Sequence, residues 1–308
     1  MKLPRRQFLH LAAGAAALPA MSRIARAQTY PTRPVRIVVG FAPGGGTDIA
    51  ARLIGQWLSE RLGQQFIVEN RPGAGANIAM EAVAKAQPDG YTLLLVSPGA
   101  AINATLYDKL NYNFIRDIAP IGGIIRVPNV MVVHPSFPAK TVLEFIEYAK
   151  ANVGKVNMAS GGNGTSEHVS GELFKMMAGI NMVHVPYRGG GLAVSDLLGA
   201  QVQVLFGNIL TSIEHVRSGK LRALAVTTAT RSDVLPEGVA APKNTPVAII
   251  NTLNGAINAG LVDPQMRARL IDLGGTPLAG SPAYFQKLIV DETEKWAKVV
   301  RFSGAKPE

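Results

Sequence analysis

Apolar residues follow two alternating rhythms along this chain. Val35, Ile37, Val38 and Val39 form a short, nearly unbroken β-branched run, the pattern of a buried strand. Phe41-Ala42-Pro43-Gly44-Gly45-Gly46 breaks it, and a helix is predicted from Thr47 or Asp48. There Ile49, Leu53, Trp57 and Ala50, Ile54, Leu58 recur at helical spacing as far as Gly63. Phe66–Val68 then reads as a second strand, running through Glu69-Asn70-Arg71-Pro72-Gly73-Ala74-Gly75-Ala76-Asn77 into a helix that reaches Ala86. Pro88-Asp89-Gly90 turns the chain into a strand at Thr92–Val96, which opens at Ser97-Pro98-Gly99. Three strand–loop–helix units therefore set three loops after strand C-termini, the edge at which open α/β sheets bind ligands.

Asn103 to Ile118 is looser, and Ile121 to Val133 reads as an apolar, strand-like run. Thr141 and Glu144 form a capping box ahead of a helix with Val142, Phe145, Ile146 and Ala149 on one face. Strand Val156–Ala159 leads into Ser160-Gly161-Gly162-Asn163-Gly164-Thr165-Ser166 and a helix bearing Val169, Leu173, Phe174 and Met177. Strand Met182–Val185 gives way to Pro186-Tyr187-Arg188-Gly189-Gly190-Gly191, and Val202–Phe206 with Leu221–Val226 complete a second set of parallel strands. The last third reads as helical, with proline in the first turn at Thr245-Pro246, Asp263-Pro264 and Ser281-Pro282. Alternation of this kind, with two sets of glycine loops, predicts two α/β lobes around a cleft.

The glycine loops carry the candidate chemistry. Three glycines at 44–46 leave backbone N–H groups uncovered, and the helix start adds unpaired donors at the positive end of its dipole. Together these make an anion seat. No Gly-Lys-Ser/Thr follows and the loop holds no Lys or Arg, so a carboxylate suits it better than a polyphosphate. The plainer alternative is a strand-to-helix turn that needs glycine for its backbone angles. The Ser160–Ser166 loop repeats the device with more hydroxyls, against the alternative of an ordinary capped helix. Gly73 and Gly75 approach a dinucleotide fingerprint, but Ile78 stands where its third glycine belongs, so a second rim of the same cleft is the better reading. Tyr187 is a candidate ligand contact, and Arg188 a salt link or a solvated charge.

Composition narrows the classes. At 308 residues and 47% hydrophobic content the chain can bury a substantial core, in about two domains. Pro4-Arg5-Arg6-Gln7-Phe8-Leu9, an apolar run to Ala20 and Ala25-Arg26-Ala27 read as a twin-arginine export signal over residues 1–27. Those residues hold Lys2, Arg5, Arg6, Arg23 and Arg26 and no acids, so their removal takes the formal charge from +10 to +5. No dense basic run remains for nucleic acid. With no cysteine there is no disulfide or thiolate, and no later stretch is apolar enough to span a membrane. His134, His168, His184 and His215 lack metal-ligand spacing, and there is no G-x-S-x-G elbow. Ser160 with His168 nearby is the remaining nucleophile candidate, set against a ligand hydrogen-bonder or cap. Neither a catalytic residue, a cofactor nor a metal is called for.

In combination, YPTRPVRIVVGFAPGGGTD, VENRPGAGANI, QPDGYTLLL, ASGGNGTSEH, VPYRGGG and SGKLRALAVTTATRS, in that order over residues 28–232, resemble the extracytoplasmic solute-binding receptors of tripartite tricarboxylate transporters, the Bug family. The resemblance implies a type II periplasmic-binding-protein-like fold: residues 28–125 and 235–308 as lobe 1, residues 126–234 as lobe 2. It implies capture of a small organic acid, a di- or tricarboxylate or an aromatic carboxylate, and delivery to membrane permease subunits from the periplasm. Carried over by position, lobe 1 would contact ligand through Phe41, Ala42, Pro43, Gly44, Gly45, Gly46, Asp48, Ser97 and Gly99. Lobe 2 would supply Ser160, Gly161, Asn163, Gly164, Thr165, Ser166 and Tyr187. The alternatives are an exported hydrolase using Ser160 or Ser166, and a ligand-binding partner of a membrane sensor.

Two positions depart from the family pattern. Gly207 stands where many relatives carry an Asp, which removes an acceptor for an amine or hydroxyl and tilts the ligand away from amino acids. After Arg231-Ser232-Asp233-Val234-Leu235-Pro236 the chain runs almost straight into Gly238-Val239-Ala240-Ala241-Pro242. Relatives place there a segment with Pro-Thr-Val, Gly-Tyr-Glu and usually a Trp, which provides a return crossing between lobes. Either a shorter crossing serves, or the hinge and pocket wall are altered.

Overall fold

The structure, a computed structural model, describes residues 30–228 and 235–307. The signal reading of residues 1–27 and the 231–234 part of the shortened junction lie outside the described residues.

Strand β1 (Val35–Val39) is buried at Val35, Ile37, Val38 and Val39, as a β-branched run between two layers of helix must be. Helix α1 (Gly46–Leu62) follows and ends at Gly63, whose φ of 73° suits a left-handed cap. Strands β2 (Phe66–Asn70) and β3 (Thr92–Val96) flank β1 in parallel, with Val35 opposite Phe66 and Ile37 opposite Leu93. Between and after them come α2 (Asn77–Ala84), α3 (Gly99–Leu106) and the single turn α4 (Phe114–Asp117).

The expected single run from Ile121 to Val133 is two strands in two sheets. Strand β4 (Ile118–Val127) belongs to the first sheet and β5 (Asn129–Val133) to the second, with Pro128 between them. Proline cannot donate to a ladder, so pairing changes there. Helix α5 (Val142–Ala151) begins at its expected cap, Thr141 Oγ1 accepting from Glu144 N at 3.2 Å. Strand β6 (Asn157–Ser160), helix α6 (Ser166–Ala178), strand β7 (Val183–Pro186), helix α7 (Gly190–Leu198), strand β8 (Val204–Asn208), helix α8 (Ile209–Arg217) and strand β9 (Arg222–Val226) complete the second lobe.

Its sheet, ordered β7-β6-β8-β5-β9, is mixed rather than the all-parallel set expected. Strands β6, β7 and β8 are parallel, but β5 enters from the other lobe and runs antiparallel to both β8 and β9.

Strand β10 (Leu235–Pro242) makes the return. It inserts between β3 and β4, antiparallel to both, in a sheet ordered β11-β4-β10-β3-β1-β2. Residues 235–242 thus complete the crossing despite the shortened junction. Helix α9 (Val247–Val262), helix α10 (Pro264–Asp272), the short β11 (Thr276–Pro277) and helix α11 (Pro282–Ser303) follow. Pro264 and Pro282 sit in the first turn as expected, whereas Pro246 is itself the residue before α9.

One core fills the first lobe around β1, β3 and β10, and two smaller clusters pack on the faces of the second sheet. A fourth joins Ala101, Ile102 and Leu106 of α3 to Val169 of α6 and Trp296 and Val300 of α11, so the C-terminal helix packs on both lobes.

Gly238 marks how tightly β10 is held: a Cβ there would lie 2.3 Å from the Phe285 ring and 2.5 Å from the Gly122 carbonyl oxygen. We expect Gly238→Ala to cost about 1–3 kcal/mol by overpacking. A urea melt reads this directly, and an unchanged midpoint would mean that β10 is not buried in the sheet.

Candidate functional site

The lobes meet loop against loop at the strand C-termini. After β1 the chain turns through Gly44, at φ 83°, and α1 starts with Gly45 as its cap residue, with no side chain over the helix end. Asp48 fixes this turn. Its buried carboxylate accepts from Gly44 N (2.9 Å), Arg52 Nε (2.9 Å) and Nη2 (3.0 Å), and Asn70 Nδ2 (2.9 Å). Burial alone would raise its pKa, but Arg52, the Gly44 N–H and Asn70 together hold it below the ordinary value.

In the second lobe β6 leads to a turn with Gly162 at φ 123° and Gly164 at φ 80°. Thr165 caps α6, its Oγ1 accepting from His168 N (3.3 Å) and donating to Gly162 O (2.7 Å). The loops then close on each other. Ala42 N donates to Arg188 O at 2.8 Å. A Cβ on Gly191 would lie 2.9 Å from the Gly44 carbonyl carbon, and one on Gly75 would lie 2.2 Å from Asn163 O. Backbone faces backbone there.

Of the residues expected from the sequence, Phe41, Gly45, Gly46, Ser97, Gly99, Gly161, Thr165 and Ser166 line an inner cavity of about 40 Å³. Phe41 and Gly161 also face an outer cavity of about 510 Å³, with Asn163, Tyr187 and the Gly73–Ala76 rim. Ala42, Pro43, Gly44, Asp48, Ser160 and Gly164 line neither. Ala42, Gly44 and Asp48 shape the first loop. Ser160, fully buried, has its hydroxyl 2.7 Å from His184 Nε2 and accepts from Gly162 N.

The inner cavity also contains residues that the sequence reading missed: Thr47, Pro98, Glu167, Gly190, Asn208 and Glu237. Glu167, second in α6, turns back over its own loop. Its Oε2 accepts from Gly161 N, and its Oε1 accepts from Asn208 N at 3.2 Å. A protein carboxyl thus occupies one of the second lobe's expected anion donors, Gly161 N. Glu237 arrives on β10, fully buried, its Oε1 accepting from Asn208 Nδ2 at 3.0 Å. Burial pushes its pKa up to about 8, the neighbouring Glu167 adds to the rise, and Asn208 and Thr47 act against it. Burial likewise raises Glu167, against the two backbone donors. One signal was available for Glu237: an acid inside an otherwise apolar strand.

Beneath the second loop His168 and His184 stack with ring centroids 4.2 Å apart. His168 Nδ1 accepts from Gly164 N at 3.3 Å, which fixes the loop from below.

The model of the tripartite tricarboxylate transporter family receptor matches residues 50–304, and the chain belongs to that family. It is 37% identical to protein BugT of Bordetella pertussis over 300 residues, 91% of this chain and 92% of that protein. Among solved structures, an R. palustris protein with adipate is 34% identical at a TM-score of 0.87, covering 91% of this chain and all of that one. MatC of Rhodopseudomonas palustris with bound malate is 30% identical at 0.83, covering 88% of this chain and all of that one. These matches place the two lobes and their cleft among periplasmic solute-binding proteins. Among the described residues no helix is long and apolar enough to cross a membrane.

His184 generates a pH prediction. Burial first, then Lys175, pushes its pKa from 6.5 down to about 4, so the fold holds it neutral where the unfolded chain takes up a proton. Its contribution to stability is complete above pH 6.5 and declines as the pH falls towards 4. We expect His184→Gln to flatten that part of the stability profile in urea melts. An unchanged slope would remove His184 as its source.

Proposed function

We propose that the protein is a periplasmic receptor that closes its two lobes over a small organic carboxylate and presents it, chemically unchanged, to the permease subunits of a tripartite tricarboxylate transporter. The observation that carries the reading is the convergence of glycine-loop backbone and helix N-termini from both lobes on one cavity. Donors from α1 and α3 lie on one side and those from α6 and α7 on the other, so only the closed state engages both sets. Membership of the receptor family and the relatives solved with adipate and malate support the same ligand class. The twin-arginine reading of residues 1–27 supplies the route out of the cytoplasm. The lobes act as units of residues 28–125 with 235–308, and of 126–234, joined where β4 passes into β5 and where β9 returns to β10.

The hydrolase reading has one observation in its favour, the Ser160–His184 hydrogen bond. Ser160 is fully buried and lines neither cavity, while Ser166 donates to Asn129 Oδ1 at 3.4 Å. A nucleophile needs access to substrate, and the receptor reading does not require it of either serine.

A thermal-shift screen against di-, tri- and aromatic carboxylates tests the proposal. Ligand at about a hundred times its dissociation constant adds nearly 3 kcal/mol to the native state, a plain rise in Tm. A cooperative melt unmoved by every acid would overturn it.

The closed geometry adds a second test. A side chain at Gly191 collides with the Gly44 carbonyl of the other lobe. We expect Gly191→Val to hold the lobes apart and to weaken ligand binding at least about tenfold, with the melt of the free protein little changed. Wild-type affinity in that variant would show that binding does not require this closure.

A further inference from the structure

The inner cavity contains two carboxyls of the protein and, among the described residues that line it, no Lys, Arg or His. Glu167 comes from the second lobe and Glu237 from the crossing strand of the first sheet, 5% and 0% exposed. Asn208 stands between them, its backbone N–H on Glu167 and its side-chain amide on Glu237.

The two carboxyls are not equivalent. Both oxygens of Glu167 already accept backbone N–H groups. Glu237 Oε2 is buried without a hydrogen-bond partner, and Thr47 is the hydroxyl near the carboxyl that acts against the rise of its pKa. A buried polar atom left bare costs about 1–3 kcal/mol, so this oxygen is a place for an incoming hydrogen-bond partner. A second bare polar atom lines the same cavity: Ser97 Oγ, buried and unpartnered. Ser97 lies one residue past the Gly238–Val96 pair of the β3–β10 ladder, which sets it beside Glu237. It adjoins the N-terminus of α3, and Gly45 to Thr47 open α1 across the same cavity.

We propose that the inner cavity takes the α-ammonium and α-carboxylate end of an amino acid, with Glu237 Oε2 accepting from the ammonium and Ser97 Oγ and the α1 N-terminus holding the carboxylate. This rests on the reading of the cleft as a carboxylate receptor and names the ligand within that class. A plain dicarboxylate would set a third carboxyl beside two others with no cation between them, whereas an ammonium supplies both the missing charge and the missing donor. A trimethylated nitrogen has no N–H to give to Glu237. The side chain of the ligand would extend into the outer cavity, which shares Phe41 and Gly161 with the inner one. The acceptor that Gly207 fails to provide in the second lobe is thus supplied by Glu237 from the first.

Glu237 must bind an ammonium as carboxylate, so a proton that it holds leaves for solvent when ligand arrives. Glu167, on α6, is the ionisable group whose charge acts on it; Asp48, on α1, is engaged by Gly44, Arg52 and Asn70.

Isothermal titration of the purified chain with matched acids decides the matter: succinate against aspartate, propionate against alanine, 3-phenylpropionate against phenylalanine. We expect the amino member of at least one pair to bind about tenfold tighter or more, the worth of one charge-assisted hydrogen bond. Repeating the titration in buffers of different ionisation heat should show protons released at neutral pH. Glu237→Gln, if its melt remains cooperative, should erase the preference, and Ser97→Ala should weaken both members alike. Should Glu237→Gln not fold, the wild-type preference and the direction of proton movement decide alone. Equal or tighter binding of the acids without nitrogen, with proton uptake, would overturn this inference and leave the carboxylate receptor standing, Glu237 then donating to a carboxylate as the neutral acid. Binding of neither series would overturn both.

Discussion

The position of β10 is the constraint on which the rest of the molecule depends. Strands β3 and β4 do not pair with each other; each pairs with β10, so the first sheet is continuous only because a strand returning from the second lobe is inserted into it. Its residues are small where the space is small. Gly238 lies under Phe285, and Val239, Ala240 and Ala241 are fully buried. The same insertion delivers Glu237 to the cavity and sets one of the two passages between lobes. Fold, hinge and site chemistry share eight residues.

Around that strand the protein meets a second requirement, that helix N-termini brought together at one place need acceptors. Helices α1, α6, α7 and α8 all begin at the cleft, and side chains cover some of their ends but not others. Thr165 caps α6, and the Asn208 side chain accepts from Leu210 N at the start of α8. Gly45 and Gly189, before α1 and α7, offer no side chain. Glu167 supplies a carboxyl of the protein to Gly161 and Asn208, and so a seat that reads as empty from its glycines is half filled from within.

This explains which parts were legible in the sequence. The strand–glycine–helix order around Gly44–Gly46 and Gly161–Gly164 is local, and local signals set it: β-branched runs, positive-φ turns and a hydroxyl cap. The mixed second sheet and the insertion of β10 depend on pairings between residues far apart, Val130 with Gly207 and Gly238 with Val96, for which periodicity carries no signal. Pro128 was visible, but its meaning, a change of sheet within one apolar run, belongs to tertiary pairing. Asp48 and Ser160 sit inside the motifs and outside the cavity for the same reason. A motif specifies a loop, and its buried polar members are spent on holding that loop's shape. Glu237 lies outside every motif, in a stretch that reads only as a shortened junction.

The closed arrangement also says how little holds the lobes together at the loops. Glycine backbone meets glycine backbone there, with bonds such as Ala42 N to Arg188 O, each worth about 1 kcal/mol net. The apolar burial beside that contact is Phe41, with Leu210 and Ile209 of α8 packed on the first lobe's core. Helix α11 packs Trp296 and Val300 against both α3 and Val169 of α6, a contact made of area rather than of single bonds. For the proposed closure to be driven by ligand, the ligand's differential affinity for the closed state has to exceed the free energy that separates the two states. Bare polar atoms at Ser97 and Glu237 add to this balance, because closure without a ligand leaves them buried and unpaired, and closure around the right one does not.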